Sequence, residues 1–210
     1  MNYGSLTSYK LLDGDQAILS DYFKKEAITY RKQGLFSAHY YFNSQERLLR
    51  VLNIWLAQES YEKWQGQQTT DLLSSKNYQA ELSCQQAFKM AWEMQYSHLQ
   101  PALSSLHKIQ LNDISKQLNL LREMGRQAMA QTTGMSGIWF GRSLTDPRLC
   151  LCRVDWASQA DLLNFTINHT LEKQDEELKK IGLSITHLTD NPLENNIPGY
   201  IKPASDLFLL

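Results

Sequence analysis

Two segments of the chain, about a hundred residues apart, share one pattern of strand, polar turn, second strand ending in tryptophan, and helix. They span residues 36–64 and 137–165 and align without a gap at an offset of 101. Four of the 29 aligned positions are identical: Arg47 with Arg148, Leu48 with Leu149, Trp55 with Trp156, and Gln58 with Gln159. A module of about a hundred residues has the size of a compact domain. The repeated pattern therefore predicts that a duplicated module organises the chain.

Length and composition favour a protein with a real core and no nucleic-acid partner. At 210 residues there is room for one large domain or two small ones, and the repeat favours two. Hydrophobic residues make up 42% of the chain, and the net charge is −1 without a basic stripe. No run of 18 apolar residues occurs, and the start, Met-Asn-Tyr-Gly-Ser, lacks a basic-then-apolar signal pattern. We expect no membrane partner and a cytoplasmic protein, with export by an unusual signal as the alternative.

The cysteines and histidines do not suggest a metal site. Cys84, Cys150 and Cys152 are too few ligands at the wrong spacing, so we expect three buried, reduced, structural thiols. On a strand, Cys150 and Cys152 point to one face. The other candidate ligands are scattered without metal spacing: His98, His107, His169 and His187.

The first module contains a strand, a helix and a hairpin in that order, followed by further helices. Gly14-Asp15 marks the helix start and Gly34 its end near Lys32. The predicted elements are a strand at 6–12, a helix at 15–32, strands at 35–42 and 47–57 around a turn at 43–46, helices at 60–74 and 79–93, and a strand at 95–100.

The second module repeats this order. Asp113 is a helix N-cap, and Ser158 with Asp161 resembles a capping box. The predicted elements are a strand at 103–110, a helix after 113, a strand after Gly137, a turn at 145–147, a strand at 149–156, helices at 159–168 and 172–181, and a strand at 183–188 that follows Gly182.

Each module therefore has the order β-α-β-β-α-(α)-β, which is a ferredoxin-like α+β pattern. We predict modules at 1–101 and 102–190 and an extended tail at 191–210. Both faces of the strand at 47–57 are largely apolar, so each sheet is expected to be covered on both sides. We expect the two sheets to pack together as an intramolecular barrel, either in a monomer with an internal pseudo-dimer or in a weak homodimer.

The run from Leu49 to Trp64 resembles the signature of the antibiotic biosynthesis monooxygenase superfamily, and residues 153–165 resemble it again. Members are dimeric α+β barrels, and several oxygenate aromatic polyketides or quinols without metal or flavin. The resemblance implies no cofactor, with a small aromatic molecule and dioxygen as partners. In the anthrone-oxidising members a Tyr follows the Trp by six residues, as Tyr61 follows Trp55. An Asn precedes that Trp by four residues, where this chain has Val51 and places Asn53 two residues closer.

The resemblance implies a catalytic site in the first module and a non-catalytic second module, which has Cys152 and Leu162 at the matching places. Asn53 and Trp55 would donate to a substrate oxyanion, with Tyr61 or His39 positioning it or relaying a proton. Three further residues would bind the substrate: Tyr41, Val51 and Trp64.

Other interpretations of these residues stay open. Trp55 and Trp156 can plug a barrel end, Tyr61 can simply pack on its helix, and His39 can be a satisfied core histidine. A non-catalytic ligand-binding or protein-interaction module of the same fold is the main alternative. The heme-degrading branch is disfavoured, because Leu73 and Ser74 occupy the region where it has a His.

Overall fold

The computed structural model describes residues 2–12, 22, 25–26, 28–43, 46–67, 80–95, 102–168, 176 and 178–188. These residues belong to two compact units, which divide between Lys89 and Met90. We call them unit 1 and unit 2. The predicted tail at 191–210 lies outside the described residues.

Unit 1 has the ferredoxin-like strand order. Its elements are β1 (Tyr3–Leu11), helical residues between 22 and 31, β2 (Leu35–Asn43), β3 (Leu48–Trp55), α1 (Gln58–Gln67) and the first part of β4 (Ala80–Gln95). The strands lie in the order β2-β3-β1-β4, and the three contacts are antiparallel. Placing β1 and β3 in the centre lets the crossover helices cover one face of the sheet.

Unit 2 has the same order. Its elements are β5 (Leu103–Leu111), α2 (Ile114–Gln131), β6 (Met135–Ser143), β7 (Leu149–Trp156), α3 (Gln159–Asn168), helical residues 176 and 178–180, and β8 (Leu183–His187). The strands lie in the order β6-β7-β5-β8, with the end of β4 beside β6. The predicted α+β class and the ferredoxin-like modules are thereby confirmed.

The two units match strand by strand, with one residue inserted in the hairpin of unit 2. Leu35 lies opposite Trp55 and Ala38 opposite Asn53, as Met135 lies opposite Trp156 and Ile138 opposite Val154. The register shifts once in each pair, between Leu35 and Ser37 and between Met135 and Gly137. Positions therefore correspond at an offset of 100 before the hairpin and 101 after it. The gapless alignment holds from Arg47 onward but is wrong for β2.

A glycine before the second strand of each unit is required by close packing. Gly34 and Gly134 have φ of +98° and +80° and accept a hydrogen bond from the backbone of Leu56 and Ala157. A Cβ on Gly34 would lie 2.3 Å from Ser60 Oγ, and one on Gly134 would lie 2.1 Å from the Asp161 carboxyl carbon. Only glycine fits both the backbone conformation and the approaching helix.

The predicted starts of α2 and α3 are confirmed, while the predicted helix start at 172 lies outside the described residues. The Asp113 carboxylate accepts the Lys116 backbone N–H and caps α2. At α3, Ser158 Oγ accepts the Asp161 backbone N–H at 3.1 Å and donates to the Asp161 carboxylate. Ser158 therefore caps α3, and Asp161 binds the hydroxyl of the cap rather than its backbone N–H, as a full capping box would require.

Two predictions about residues 79–95 are wrong. The segment is the strand β4, not a helix, so the closing strand begins well before residue 95. Phe88, Met90, Trp92 and Met94 alternate with period two, and this signal outweighs the weaker helical spacing. Cys84 lies on this strand and is exposed, whereas Cys150 and Cys152 are buried as predicted.

α1 starts at Gln58, two residues before its predicted start, and its described part ends at Gln67; residues 68–74 of the predicted helix lie outside the described residues. No helix in the described part of the chain is long and apolar enough to span a membrane.

Candidate functional site

Five of the predicted site residues of unit 1 lie on one side of its sheet: Val51, Asn53, Trp55, Tyr61 and Trp64. Val51, Asn53 and Trp55 alternate along β3 and face α1, because Trp55 contacts Trp64 of that helix with ring centroids 5.3 Å apart. The Trp55 indole N–H donates to Ser5 Oγ at 3.3 Å. This hydrogen bond uses the indole donor that the sequence assigned to a substrate oxyanion.

Aromatic rings occupy the space between β3 and the helices of unit 1. Tyr30 packs 6.0 Å from Trp55 and 6.5 Å from Trp64, and Tyr61 packs 6.0 Å from Trp64. Trp55 is 0% and Trp64 is 2% exposed. These contacts make a close-packed aromatic core around the predicted site, which is the arrangement expected of a structural role.

Tyr61 is suited to donating a hydrogen bond rather than to acting as a base. Its ring stacks on Tyr3, with centroids 6.3 Å apart and planes 9° apart. Burial, with a smaller contribution from the Glu62 carboxylate, raises the pKa of the Tyr61 hydroxyl above its ordinary value. The hydroxyl therefore stays protonated near neutral pH.

His39 and Tyr41 lie on the opposite face of the same sheet. Their cross-strand partners are Leu52 and Arg50, whereas Ala38 and Tyr40 pair with Asn53 and Val51. His39 is buried, and its Nε2 lies 3.1 Å from Ser37 Oγ. The structure thus separates these two residues from Asn53, Trp55 and Tyr61 by the thickness of the sheet.

Unit 2 keeps the tryptophan–serine bond but has smaller side chains around it. The Trp156 indole N–H donates to Ser105 Oγ at 3.2 Å, and the Trp156 ring lies 5.0 Å from that of Phe165. At the matching positions, Phe165 stands for Trp64, Leu162 for Tyr61, Val154 for Asn53 and Phe140 for Tyr40. Three of these replacements, at Phe165, Leu162 and Phe140, put a smaller side chain into the space between sheet and helices.

A cavity of about 430 Å³ lies in this space in unit 2. That volume falls within the range of small-molecule sites, roughly 300–1,000 Å³. Strands β5 to β8 form its floor, and α2, α3 and the residues before β8 form its cover. Its lining is mostly apolar: Ile109, Leu121, Met124, Gly125, Ala128, Met135, Ile138, Phe140, Cys152, Val154, Phe165, Leu178, Ile181 and Ile185, with His107 and His187.

The two histidines of the lining contact each other. The Nδ1 atoms of His107 and His187 are 2.8 Å apart, and His107 Nε2 lies 3.0 Å from Ser105 Oγ. This pair was not predicted from the sequence, because 80 residues separate its members and only the pairing of β5 with β8 brings them together. The available signal was that each histidine lies within a predicted strand.

A chain of hydrogen bonds connects the tryptophan of unit 2 to this histidine pair. An indole N–H can only donate, so Ser105 Oγ accepts from Trp156 and its own hydrogen is free to reach His107 Nε2. The hydrogen between His107 Nδ1 and His187 Nδ1 is carried by one of the two rings, and the tautomer decides which of them donates. In unit 1 the position of His107 is occupied by Thr7.

Burial keeps His107 and the Cys152 thiol of the cavity wall uncharged near neutral pH. Burial, with a contribution from His187, lowers the pKa of His107 to about 3. Burial also raises the pKa of the Cys152 thiol, which faces His107 across the two strands. No group of three or more potential ligands that could hold a metal ion occurs among the described residues.

Comparisons with known proteins identify the fold and nothing finer. No family model and no curated protein matches the chain. A protein of Fusobacterium nucleatum described as a "Putative monooxygenase" matches with a TM-score of 0.67 and 8% identity over 96% of this chain and 97% of its own. A protein of Lactobacillus acidophilus with the same description matches at 0.61 and 11% over 95% and 98%. An anthrone oxidase-like protein matches at 0.52 and 14% over 78% and 76%.

The resemblance found in the sequence is confirmed at the level of the fold. In the first two comparisons the fold matches over nearly the whole length of both proteins. Because identities are this low, the likeness carries no assignment of substrate or of catalytic residues.

Proposed function

We propose that the chain is a monooxygenase that acts on a small aromatic molecule, a quinol or an anthrone, without a resident cofactor. The cavity of unit 2 is the reaction site in this proposal. The single observation that carries it is an apolar cavity of about 430 Å³ with a hydrogen-bonded histidine pair in its wall. The monooxygenase-like fold supports the class of reaction.

The protein has few roles in the chemistry of such a reaction. An electron-rich phenol or anthrone anion reacts with dioxygen directly; the ring CH₂ of an anthrone becomes a carbonyl, and the second oxygen atom leaves as water. The substrate supplies both electrons, so no external reductant is needed. The protein must exclude water, hold the ring and accept a proton. The apolar lining meets the first two needs. His107 offers a lone pair for the third but is a weak base, because burial lowers its pKa to about 3.

The residues predicted from the sequence define the competing location. Asn53, Trp55 and Tyr61 would place the reaction in unit 1, with Val51 and Trp64 against the substrate. Trp55 donates to Ser5 and the rings of that region pack on each other, so we propose a structural role for them. Their part in catalysis remains a prediction that the experiment below tests directly.

The test is a turnover and binding screen with a matched pair of helix variants. Purified protein is mixed with anthrones and quinols, and absorbance and oxygen uptake are recorded. Ala128 lines the cavity from α2, and Ala130 lies on the exposed face of the same helix. We expect Ala128→Phe to abolish binding and oxygen uptake, while Ala130→Phe retains both.

Two further variants locate the site. If Trp55→Phe and Tyr61→Phe abolish oxygen uptake while Ala128→Phe does not, the reaction takes place in unit 1 and the proposed site is wrong. Binding in the cavity without oxygen uptake by any substrate would instead support the alternative function, a non-catalytic module that binds small ligands.

A further inference from the structure

The described lining of the cavity of unit 2 contains no side chain of fixed charge. None of the residues that line it in the described part of the chain is Lys, Arg, Asp or Glu. Its ionisable side chains are His107, His187 and Cys152. The Nδ1–Nδ1 contact of 2.8 Å requires one of the two histidine nitrogens to be unprotonated, because a hydrogen bond needs a lone pair.

Charged side chains on the surrounding elements point elsewhere or pair with each other. On β7, the Arg153 guanidinium is 2.9 Å from the Asp155 carboxylate, on the face of the sheet opposite the cavity. On α2, exposed Arg126 lies 3.8 Å from exposed Glu123.

In the described part of the remaining elements around the cavity, the charged side chains do not line it. Asp161 of α3 is bonded to Ser158. Arg142 of β6 is exposed, and so are Glu176, Lys179 and Lys180 before β8.

From this arrangement we infer that the cavity takes only an uncharged ligand: a planar aromatic molecule in its neutral form, with anions of the same skeleton rejected. The inference deepens the proposed function and rests on it for the location of the site. An anion that enters an apolar cavity loses its hydration and finds no cation in exchange. A phenolic substrate must therefore enter with its hydroxyl protonated and lose the proton only after binding.

The inference has a direct consequence for a phenol that binds there. Desolvation without a counter-ion raises the pKa of its hydroxyl. A rise of about two units corresponds to a preference of about 100-fold for the neutral form over the anion. A flat aromatic skeleton can contact two rings and two thioethers in the cavity, those of Phe140, Phe165, Met124 and Met135. These contacts favour an aromatic over an aliphatic ligand of equal volume.

The experiment compares three ligands with one skeleton: 2-naphthol, 2-methoxynaphthalene and 2-naphthoate. Dissociation constants are measured by calorimetry with the full chain near neutral pH. We expect naphthol and its methyl ether to bind within about tenfold of each other, and naphthoate to bind about 100-fold more weakly than naphthol. Naphthol should also weaken as the pH rises through the pKa of its hydroxyl.

A variant that adds a charge makes the comparison independent of shape. Met124 is half-buried at the cavity wall on α2, so a lysine there can keep its ammonium near water. Met124→Lys should strengthen naphthoate binding at least tenfold, and Met124→Leu should leave the order of the three ligands unchanged. If Met124→Lys does not fold, the comparison of the three ligands with the natural chain stands by itself.

The outcomes separate this inference from the proposed function. Naphthoate binding as tightly as naphthol would overturn the inference. Neutral ligands that bind with the expected preference, while no substrate consumes oxygen, would support the inference and contradict the proposed reaction. Failure of all three ligands to bind would overturn both.

Discussion

The histidine pair of unit 2 makes a strong prediction about stability and pH. The folded protein holds the pKa of His107 at about 3, against an ordinary value of 6.5. As the pH falls below 6.5 the unfolded chain binds a proton at this residue, and the folded protein does not until about pH 3. The free energy of unfolding therefore falls on acidification through this window, and the stability from neutral His107 is fully present only above 6.5.

The size of the effect follows from the two pKa values. Within the window each pH unit lowers the free energy of unfolding by about 1.4 kcal/mol. Between pH 7.5 and pH 5 this amounts to about 2 kcal/mol from His107, because the unfolded residue becomes almost fully protonated over that range. Other ionisable groups of the chain titrate as well, so the contribution has to be measured as a difference.

The measurement is urea unfolding of the natural chain and of His107→Gln at several pH values, followed by tryptophan fluorescence. Glutamine keeps a hydrogen-bonding group next to Ser105 and His187 but does not titrate. At pH 7.5 the variant should be less stable, and the gap between the two proteins should narrow by about 2 kcal/mol on going to pH 5. If the free energies of unfolding of the two proteins change in parallel with pH, the reasoning is refuted, since His107 would then titrate normally in the folded protein.

Two further predictions concern side-chain packing, first at a glycine and then at the matching aromatic residues of the two units. Gly134→Ala should lower the free energy of unfolding by roughly 2 kcal/mol or more, because its φ is +80° and the new Cβ would strike Asp161. The control is Gly66→Ala in α1, where a Cβ meets nothing within 4 Å. It should be neutral or stabilising by up to roughly 1 kcal/mol. Trp64→Ala should cost about 3–5 kcal/mol, since it empties a close-packed site. Phe165→Ala should cost less, because that ring already borders a cavity, and it should admit bulkier ligands. Urea unfolding measures the stabilities, and a cost for Phe165→Ala equal to that for Trp64→Ala would contradict the difference between the units.

Local features of the sequence were sufficient for most elements of the fold. The caps at Asp113 and Ser158 and the glycines at 34, 134 and 182 mark element ends through interactions of neighbouring residues, which a sequence displays directly. β4 was mistaken for a helix because a short amphipathic run supports both periods, and pairing with β1 decides between them.

The candidate site was less predictable. The sequence placed Asn53, Trp55 and Tyr61 correctly on one side of a strand and helix, but nothing local indicates that surrounding rings fill that space. Whether a space is empty depends on the summed volume of side chains from several elements. The cavity in unit 2 results from replacements such as Trp64 by Phe165 at matching positions, each unremarkable alone.

By itself the sequence determined the duplication, the ferredoxin-like order of elements and the tryptophan at the end of each central strand, because these depend on periodicity, capping and turn chemistry along the chain. Where the described cavity lies and which polar groups border it depend on tertiary packing. His107 and His187 meet because antiparallel strands bring residues 80 positions apart into contact. The neutrality of His107 arises from burial, which is a property of the packed molecule and not of the chain.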